Sequence, residues 1–241
     1  MAVGIIGYGR FGKFAAKYIA ERSEVLVFDS AKKIRSTSNR ICRASLKSVA
    51  SQHVVLVAVP VSAMQRTLRS IAPFLQPSTL VIDVCAVKAK PVEWMRTLLP
   101  KHVHILGTHP LFGPDSARDS LAGHRIYISP VRLPKLVLRH VIRELKRAGL
   151  LVTALLPTAH DKLMAETLFL TQYIGRYVKN ARLEQHVDST KSYSALMEIV
   201  KIANSDTKVL FRDMLRYNHF AQKAFAKLDR AQRKLKRELA N

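Results

Sequence analysis

Three glycines near the start of the chain have the spacing of a phosphate-binding turn. They lie in the segment Gly7-Tyr8-Gly9-Arg10-Phe11-Gly12, which follows an apolar run and precedes a helical pattern. The first glycine permits a tight turn, the second lets a pyrophosphate approach the backbone, and the third lets the helix pack on the strand. The N-terminus of that helix attracts an anion through its N–H groups and its dipole. We therefore expect a dinucleotide to bind at Gly7, Gly9, Arg10, Phe11 and Gly12.

Asp29 is the residue expected to select the cofactor. It ends the next predicted strand, about twenty residues after the glycines. A carboxylate at this position accepts hydrogen bonds from the adenosine ribose hydroxyls and repels a 2′-phosphate, which favours NAD over NADP. Lys32 and Lys33 follow closely with the opposite charge, so NADP stays the alternative.

Three further predicted strands end in residues that suit a ligand site. Val59 and Pro60 close one strand, where we expect their backbone to line the cofactor cleft, although proline also ends strands for structural reasons. Asp83 ends the next strand, and His109 lies in a Gly- and Pro-rich segment after the strand that follows. Because such strand ends meet at one edge of a sheet, we assign Asp83 to the cofactor site and His109 to general-base catalysis. A lone histidine is more often structural, and that alternative stays open.

Short β-branched runs alternate with amphipathic segments over the first two thirds of the chain. The predicted strands are 3–6, 25–28, 54–59, 79–84, 103–106 and 125–129, and the predicted helices include 11–22 and 63–75. Alternating strands and helices require right-handed crossovers and predict a parallel, doubly wound sheet. The predicted fold class is α/β, with a Rossmann-like dinucleotide-binding domain in residues 1–156.

The last third of the chain is nearly free of helix breakers. All ten prolines lie at or before Pro157, and eight of the nine glycines precede Gly175. Apolar residues then recur at helical spacing, for example at Leu196, Ile199 and Ala203. We expect residues 157–241 to form an all-helical substrate and dimerisation domain. Because a helical domain of this size buries only a thin core by itself, a homodimer through it is expected.

Composition limits the class of protein. With 48% hydrophobic and 24% charged residues, the chain is expected to fold, and disordered, collagen-like and disulfide-scaffold classes are excluded. Two cysteines without zinc-binding spacing predict no metal site and fit a reducing cytoplasm. The apolar runs fall far short of the roughly 18 residues that a membrane span needs, so neither export nor insertion is expected. The net charge of +23 suits nucleic acid or anionic substrates but decides nothing alone.

Several motifs in order resemble a known family. The glycine-rich turn, Asp83-Val-Cys-Ala-Val-Lys88 and Thr108-His-Pro-Leu-Phe-Gly-Pro114 together resemble the prephenate/arogenate dehydrogenase family of tyrosine biosynthesis. The third motif is most similar to the arogenate branch. The resemblance covers nearly the whole chain, because it continues through His160-Asp161, Leu170-Thr-Gln-Tyr-Ile-Gly-Arg176, Thr190-Lys-Ser-Tyr193 and Leu210-Phe-Arg-Asp-Met-Leu-Arg-Tyr-Asn218.

The resemblance implies an active site in the cleft between a nucleotide-binding domain and a helical dimerisation domain. It implies oxidative decarboxylation, in which hydride leaves the hydroxyl-bearing ring carbon for the nicotinamide, carbon dioxide departs and the ring becomes aromatic. His109 would withdraw the proton of the ring hydroxyl, so it must start neutral and activity should fall in acid. The implied partner is a small cyclohexadienyl dicarboxylate or its amino-acid counterpart, converted to 4-hydroxyphenylpyruvate or tyrosine.

Three positions depart from the family pattern. Ala86 replaces a serine that helps to position the substrate hydroxyl and the histidine, and Gln172 replaces a histidine near a substrate carboxylate. Lys201 falls roughly where prephenate-type enzymes place a carboxylate-binding arginine. Basic side chains and helical tyrosines are more often surface and core residues than ligand contacts. The substrate-binding residues that the resemblance implies are His109, Gln172, Arg176, Lys191, Tyr193, Lys201 and Tyr217.

Two other functions stay open. Another dehydrogenase or an imine reductase would share the Rossmann-plus-helical layout, because one fold carries many chemistries. A catalytically weak nucleotide-sensing or RNA-binding protein would account for the charge and for the substitutions at Ala86 and Gln172. Only 7% of the residues are aromatic and no RNA-binding aromatic motif is present, so nucleic acid is the less favoured partner.

Overall fold

The computed structural model describes residues 2–31, 34, 38–184 and 186–240. The chain divides into two compact units, Met1–Pro157 and Thr158–Asn241. The first unit is a β-sheet with flanking helices, and the second is helical. None of the helices in the described ranges combines the length and the apolarity that crossing a membrane requires.

The first unit contains one eight-stranded sheet. Its strands are β1 (Ala2–Ile6), β2 (Glu24–Phe28), β3 (Ile41–Arg43), β4 (Val54–Val57), β5 (Leu80–Asp83), β6 (His104–Pro110), β7 (Arg125–Arg132) and β8 (Leu151–Ala154). Its helices are α1 (Arg10–Ala20), α2 (Leu46–Ala50), α3 (Val61–Ile71), α4 (Ala89–Leu98) and α5 (Lys135–Arg147). The strand order is β3-β2-β1-β4-β5-β6-β7-β8, and the six strands from β3 to β6 are mutually parallel.

The prediction of a wholly parallel sheet is wrong at one edge. Strand β7 runs antiparallel to β6, and β8 pairs in parallel with β7. Residues 111–124 join β6 to β7 without a helix, and only parallel neighbours require a crossover connection. The sequence also did not predict β3 and β8, which are short strands of three and four residues.

The middle of the sheet is buried on both faces. Ile5, Val25, Val27, Val55 and Val57 have no exposed surface. Continuous apolar runs of this kind are typical of parallel strands that helices cover on both sides. The candidate site residues of this unit lie at the ends of these strands and in the turns that follow them.

Arg132, at the end of β7, holds the segment between α4 and β6. Its Nη2 donates to the carbonyl of Pro100 at 2.7 Å, and its Nε donates to the carbonyl of Val103 at 2.9 Å. Burial lowers the pKa of this guanidinium below its ordinary value, and the like charge of Arg96 lowers it further. The cation lies just beyond the C-terminus of α4, where the helix dipole favours it.

The second unit consists of helices. They are α6 (Pro157–Met164), α7 (Leu170–Asn180), α8 (Lys191–Ser205), α9 (Lys208–Tyr217) and α10 (His219–Glu238). A π-helical segment, Ala165–Phe169, joins α6 to α7. The rings of Phe169 and Phe211 stack at 5.8 Å and contribute to the core of this unit.

Three polar residues set where the helices of the second unit begin. Thr190 accepts a hydrogen bond from the backbone of Tyr193, and Thr207 accepts one from the backbone of Leu210. Asn218 does the same for Phe220 at the start of α10. Such side chains satisfy N–H groups that a helix leaves unpaired in its first turn, so the sequence marks the starts of α8, α9 and α10.

Candidate active site

The glycine-rich turn between β1 and α1 is shaped by close backbone contacts. Gly7 has a φ of +96°, and a Cβ there would lie 2.4 Å from the carbonyl oxygen of Ala58. A Cβ on Gly12 would lie 2.0 Å from the carbonyl oxygen of Gly7. A Cβ on Gly9, in contrast, would meet no described atom within 4 Å. The turn is therefore tight on the protein side and open beside Gly9, which is the space that a phosphate requires.

Helix α1 begins at Arg10 with Gly9 at its N-cap, and no described side chain caps it by a hydrogen bond. Its N-terminal dipole thus faces the open side of the turn, and this arrangement fits a dinucleotide phosphate. The exposed guanidinium of Arg10 forms an ion pair with Asp115. The ring of Phe11 packs against the apolar core of the sheet, so Phe11 offers its backbone to the turn.

Asp29 lies directly beside this turn. Its Oδ2 accepts a hydrogen bond from the backbone N–H of Tyr8 at 2.7 Å, and its Oδ1 accepts one from Ala31 at 2.9 Å. The carboxylate is half-buried and joins the end of β2 to the glycine-rich turn. Lys32 and Lys33, which could oppose its selection of NAD, lie outside the described residues.

Val59 and Pro60 lie in the turn between β4 and α3. Strand β4 ends at Val57, two residues earlier than expected, and Pro60 occupies the N-cap of α3. The Val59 side chain lies 3.0 Å from the position of a Cβ on Gly7. Val59 is therefore next to the glycine-rich turn, as a residue lining the cofactor cleft would be.

Asp83 is completely buried at the end of β5. Its Oδ2 accepts from the backbone of Cys85 at 3.0 Å and from the ammonium of Lys88, and its Oδ1 accepts from the backbone of Thr108 at 3.2 Å. These donors lie within the protein, so the carboxylate serves the sheet rather than presenting itself to a ligand. The sequence did not reveal these partners, because the contact with Thr108 joins residues 25 positions apart.

His109 lies at the carboxyl end of β6 and is 6% exposed. It pairs with Tyr127 across the antiparallel ladder to β7. The register aligns Ile6 with Val57, Val57 with Asp83, and Asp83 with Gly107, so β1 and β6 end at the same edge of the sheet. His109 lies three strand spacings, about 14 Å, from the strand that leads into the glycine-rich turn.

The segment after His109 rests on α1. The rings of Phe112 and Phe14 meet edge to face at 6.1 Å, and the hydroxyl of Tyr18 donates to the carbonyl of Ala117 at 2.9 Å. With the ion pair to Arg10 already described, three contacts join this segment to the helix that would hold the phosphates. No local pattern in the sequence indicates these contacts, because each joins residues about one hundred positions apart.

Two of the expected substrate-binding residues come together in the second unit. Gln172 is buried, and its Nε2 donates to Oδ2 of Asp206 at 2.6 Å. Arg176 donates from Nε to Oε1 of Gln172 at 3.3 Å and from Nη2 to the carbonyl of Asp206 at 2.9 Å. Its guanidinium also lies 5.1 Å from the ring centroid of Phe211. Asp206, which sequence reasoning missed, is therefore the centre of this cluster.

Two of the other expected substrate-binding residues, Lys191 and Tyr193, do not join that cluster. Lys191 and Tyr193 lie in the first turn of α8, and Asp206 follows the last residue of this 15-residue helix, about 22 Å away. The hydroxyl of Tyr193 donates to the carbonyl of Glu184. Lys201 is exposed on α8, and Tyr217 is half-buried at the end of α9.

His160 and Asp161 form a buried pair in α6. Nδ1 of His160 lies 2.9 Å from Oδ1 of Asp161, and both side chains are almost wholly enclosed. The amide of Asn218 donates to the carbonyl of Asp161 at 2.7 Å and joins α6 to the start of α10. Among the described residues, no group of three or more His, Cys, Asp or Glu side chains is arranged to hold a metal ion.

Comparisons with known proteins show what the chain is similar to. A family model described as prephenate dehydrogenase, nucleotide-binding domain, matches residues 28–152, and one described as TYRAAT1-like, C-terminal domain, matches residues 178–241. Arogenate dehydrogenase 2, chloroplastic, of Arabidopsis thaliana is 30% identical over 99% of this chain and 70% of its own length. Arogenate dehydrogenase 1, chloroplastic, of the same plant is 28% identical over 99% of this chain, which spans 39% of that protein.

A solved structure shows the same fold. The prephenate dehydrogenase of A. aeolicus, in complex with hydroxyphenyl propionate and NAD+, superposes with a TM-score of 0.75. The two sequences are 19% identical, and the match covers 100% of this chain and 91% of the other. This likeness confirms the α/β fold class with a Rossmann-like N-terminal part and a helical C-terminal part.

The fold and the glycine-rich turn define an oxidoreductase with a nicotinamide dinucleotide cofactor. More particularly, the chain belongs to the prephenate/arogenate dehydrogenase family. The family resemblance, the enzyme class and a nicotinamide-dependent dehydrogenation are thus confirmed.

Proposed function

We propose that this chain catalyses the NAD-dependent oxidative decarboxylation of a cyclohexadienyl substrate, with arogenate preferred over prephenate. The observation that carries the proposal is the place of His109 at the end of β6, on the sheet edge where the glycine-rich turn leaves β1. The names of the two Arabidopsis relatives support arogenate. The hydroxyphenyl propionate in the A. aeolicus structure supports a ring-bearing ligand in this fold.

His109 acts on the hydroxyl of the substrate ring. Its neutral imidazole accepts the hydroxyl proton, and the electron pair of the O–H bond forms the carbonyl as the same ring carbon loses its hydrogen as hydride. The bond to the departing carboxylate then breaks and carbon dioxide is released. Its electron pair completes the aromatic ring, and the former carbonyl oxygen regains a proton to become the phenol hydroxyl. Low exposure of His109 keeps water from competing for the proton. A bound nicotinamide would supply the hydride acceptor for this chemistry.

The residues proposed to hold NAD surround the glycine-rich turn. The backbone of Gly7, Gly9 and Gly12 would receive the pyrophosphate, and Arg10 and Phe11 would contribute the first N–H groups of α1. Asp29 would accept hydrogen bonds from the adenosine ribose, which favours NAD over NADP. Val59 and Pro60 would line the cleft beside them. The buried contacts of Asp83 support a positioning role for that residue instead.

The substrate side chain is proposed to meet the cluster of Gln172 and Arg176. The guanidinium of Arg176 can pair with a carboxylate, and Asp206 gives the same cluster a negative charge that suits the ammonium of arogenate. Lys191, Tyr193, Lys201 and Tyr217 stay predictions as substrate contacts.

We also propose a homodimer through the helical unit. A groove of about 330 Å³ between α7 and α10 is lined by Tyr173, Tyr177, Leu228 and Leu235, among others. Tyr177 and Leu235 are about half exposed, and apolar side chains that line one groove together suit a partner surface. Sedimentation velocity tests this directly: a monomer at micromolar concentration would exclude the dimer.

A cytoplasmic location stays a prediction.

Product analysis tests the proposed reaction. The protein is incubated with NAD and either arogenate or prephenate, and chromatography identifies the products. We expect tyrosine from arogenate, or 4-hydroxyphenylpyruvate from prephenate, with one carbon dioxide and one reduced cofactor per product. Cofactor reduction without loss of carbon dioxide would instead favour another dehydrogenase or reductase of this fold.

A further inference from the structure

Asp83 and Lys88 form an ion pair inside the first unit. Among the described ion pairs between a carboxylate and a lysine or arginine, it is the one with both side chains wholly buried. Removing two charges from water costs free energy that their attraction does not always recover, and two packed apolar residues are often as stable. Stability alone therefore gives a weak reason for this pair.

The carboxylate of Asp83 extends the pairing of β5 with β6 beyond the backbone ladder. The last ladder partners are Asp83 and Gly107. The next residue, Thr108, donates from its backbone to Oδ1 of Asp83 at 3.2 Å and from its hydroxyl to the carbonyl of Asp83 at 2.6 Å. On its other side, β6 pairs Thr108 with Ile128 of β7. The residue immediately before His109 is thus held from both neighbouring strands.

The position of Lys88 at the start of α4 is not favoured by the helix itself. It occupies the N-cap of α4, no acidic residue lies in the first turn of that helix, and a cation at a helix N-terminus opposes the helix dipole. Its ammonium instead reaches back to Oδ2 of Asp83, which also accepts from the backbone of Cys85. The ion pair therefore closes the loop that contains Ala86 onto the end of β5, at the carboxylate that also accepts from Thr108 of β6.

We propose that Asp83 and Lys88 are a positioning pair, which holds the backbone of Thr108 and thereby the imidazole of His109 in its reactive place. This role rests on the proposed function of His109. It also replaces the expected role of Asp83 as a cofactor contact. A positioning pair controls turnover, whereas a cofactor contact controls the affinity for NAD.

Four variants and a matched control test the pair. Asp83→Asn and Lys88→Met each leave one buried charge without its partner, and Asp83→Asn/Lys88→Gln removes both charges while keeping hydrogen-bonding groups. Thr108→Val removes the hydroxyl that donates to the carbonyl of Asp83, and the valine side chain has nearly the same shape as threonine. Lys90→Met is the control, because Lys90 forms an exposed ion pair with Glu93 only two positions from Lys88.

Turnover and cofactor affinity should separate. A displacement of about 1 Å at a reacting group can lower the rate about 100-fold, so each single charge variant should lose about ten- to 100-fold in kcat. The KM for NAD should change less than about threefold, because the pair does not contact the cofactor. The kcat of the double variant should be at least about fivefold higher than that of Lys88→Met, because the effects of substitutions at two residues in contact are not additive. Thr108→Val should lose a few-fold in kcat, and Lys90→Met should match the wild type.

Two kinetic results would overturn the proposal. One is a rise in the KM for NAD with unchanged kcat in Asp83→Asn, which would make Asp83 a cofactor contact. The other is a double variant no more active than the single ones. If the single charge variants do not fold, Thr108→Val and the double variant carry the test, and wild-type kcat in both would contradict it.

A measurement without substrate separates this proposal from the proposed reaction. In histidine-labelled protein, the imidazole resonance of His109 is assigned by its loss in His109→Asn. We expect Lys88→Met and Thr108→Val to shift this resonance, and Lys90→Met to leave it in place. If the wild type converts neither substrate, the proposed reaction fails while the resonance still reports positioning. An unshifted resonance in both variants contradicts the positioning pair.

Discussion

The backbone N–H of Tyr8 donates a hydrogen bond of 2.7 Å to Oδ2 of Asp29. Asp29, directly after β2, therefore stabilises the glycine-rich turn and also lies at the place expected for the adenosine ribose. One carboxylate thus carries a structural and a selective role. Replacing it affects the binding of both possible cofactors, but to different extents.

Replacing Asp29 with serine should shift cofactor preference toward NADP. Loss of the brace to Tyr8 lowers the affinity for both cofactors, but only NADP gains from the removal of a negative charge near its 2′-phosphate. We expect the ratio of kcat/KM for NADP to that for NAD to rise about tenfold, equivalent to about 1.4 kcal/mol. Initial rates with both cofactors measure this ratio. An unchanged ratio would remove Asp29 from cofactor selection.

Replacing His109 with asparagine should abolish most of the turnover. Asparagine can hydrogen-bond the substrate hydroxyl but cannot accept its proton, and general-base catalysis contributes about 100- to 10,000-fold. The dissociation constant for NAD, measured by calorimetry, should stay within a factor of about two, because His109 acts on the substrate. The matched control is His53→Asn at an exposed histidine, which should keep full activity. Near-normal turnover in His109→Asn would exclude it as the base.

Replacing Ala86 with serine should raise the rate. Ala86 is buried in the loop that Asp83 and Lys88 close, and the family resemblance implies a serine at this position that positions the substrate hydroxyl and the histidine. One added hydrogen bond contributes about 0.5–1.5 kcal/mol, which corresponds to about two- to tenfold in kcat. Steady-state kinetics test this, and a lower kcat with unchanged folding would show that the loop has adapted to alanine.

Replacing Gln172 with alanine should destabilise the helical unit. The variant removes the buried hydrogen bonds of Gln172 to Asp206 and Arg176, and leaving such groups unpaired costs about 1–3 kcal/mol. Denaturant unfolding followed by circular dichroism measures the free energy of unfolding. Gln222→Ala is the control, because this exposed glutamine bonds only a nearby carbonyl on its surface. Equal stability of the two variants would show that the cluster around Asp206 is not structural.

Much of the fold follows from local patterns in the sequence. Apolar runs such as 54–59 predicted the inner strands, and glycine spacing predicted the turn before α1. The direction of β7 could not be predicted in this way, because an apolar strand reads alike in either direction and the connection decides it. The π-helical segment was also missed, because it is only five residues long and lies between two α-helices.

Some residues of the candidate site could be named from local sequence motifs, whereas their distant contacts could not. His109 and the glycines lie in motifs whose chemistry depends on neighbours in sequence, so their types and spacing were informative. The contacts of Asp83 with Thr108 and of Gln172 with Asp206 were not, since they join residues 25 and 34 positions apart and depend on how elements pack. Lys191 and Lys201 were named because their charge suits a carboxylate; both are exposed on α8, and their role as substrate contacts stays a prediction.

Four parallel assays test the central claim most directly. Purified protein is mixed with arogenate or prephenate and with NAD or NADP, and the appearance of the reduced nicotinamide is followed by absorbance. The account predicts reduction with arogenate and NAD at the highest kcat/KM, with prephenate slower. No reduction in any of the four assays, while NAD still binds, would contradict it.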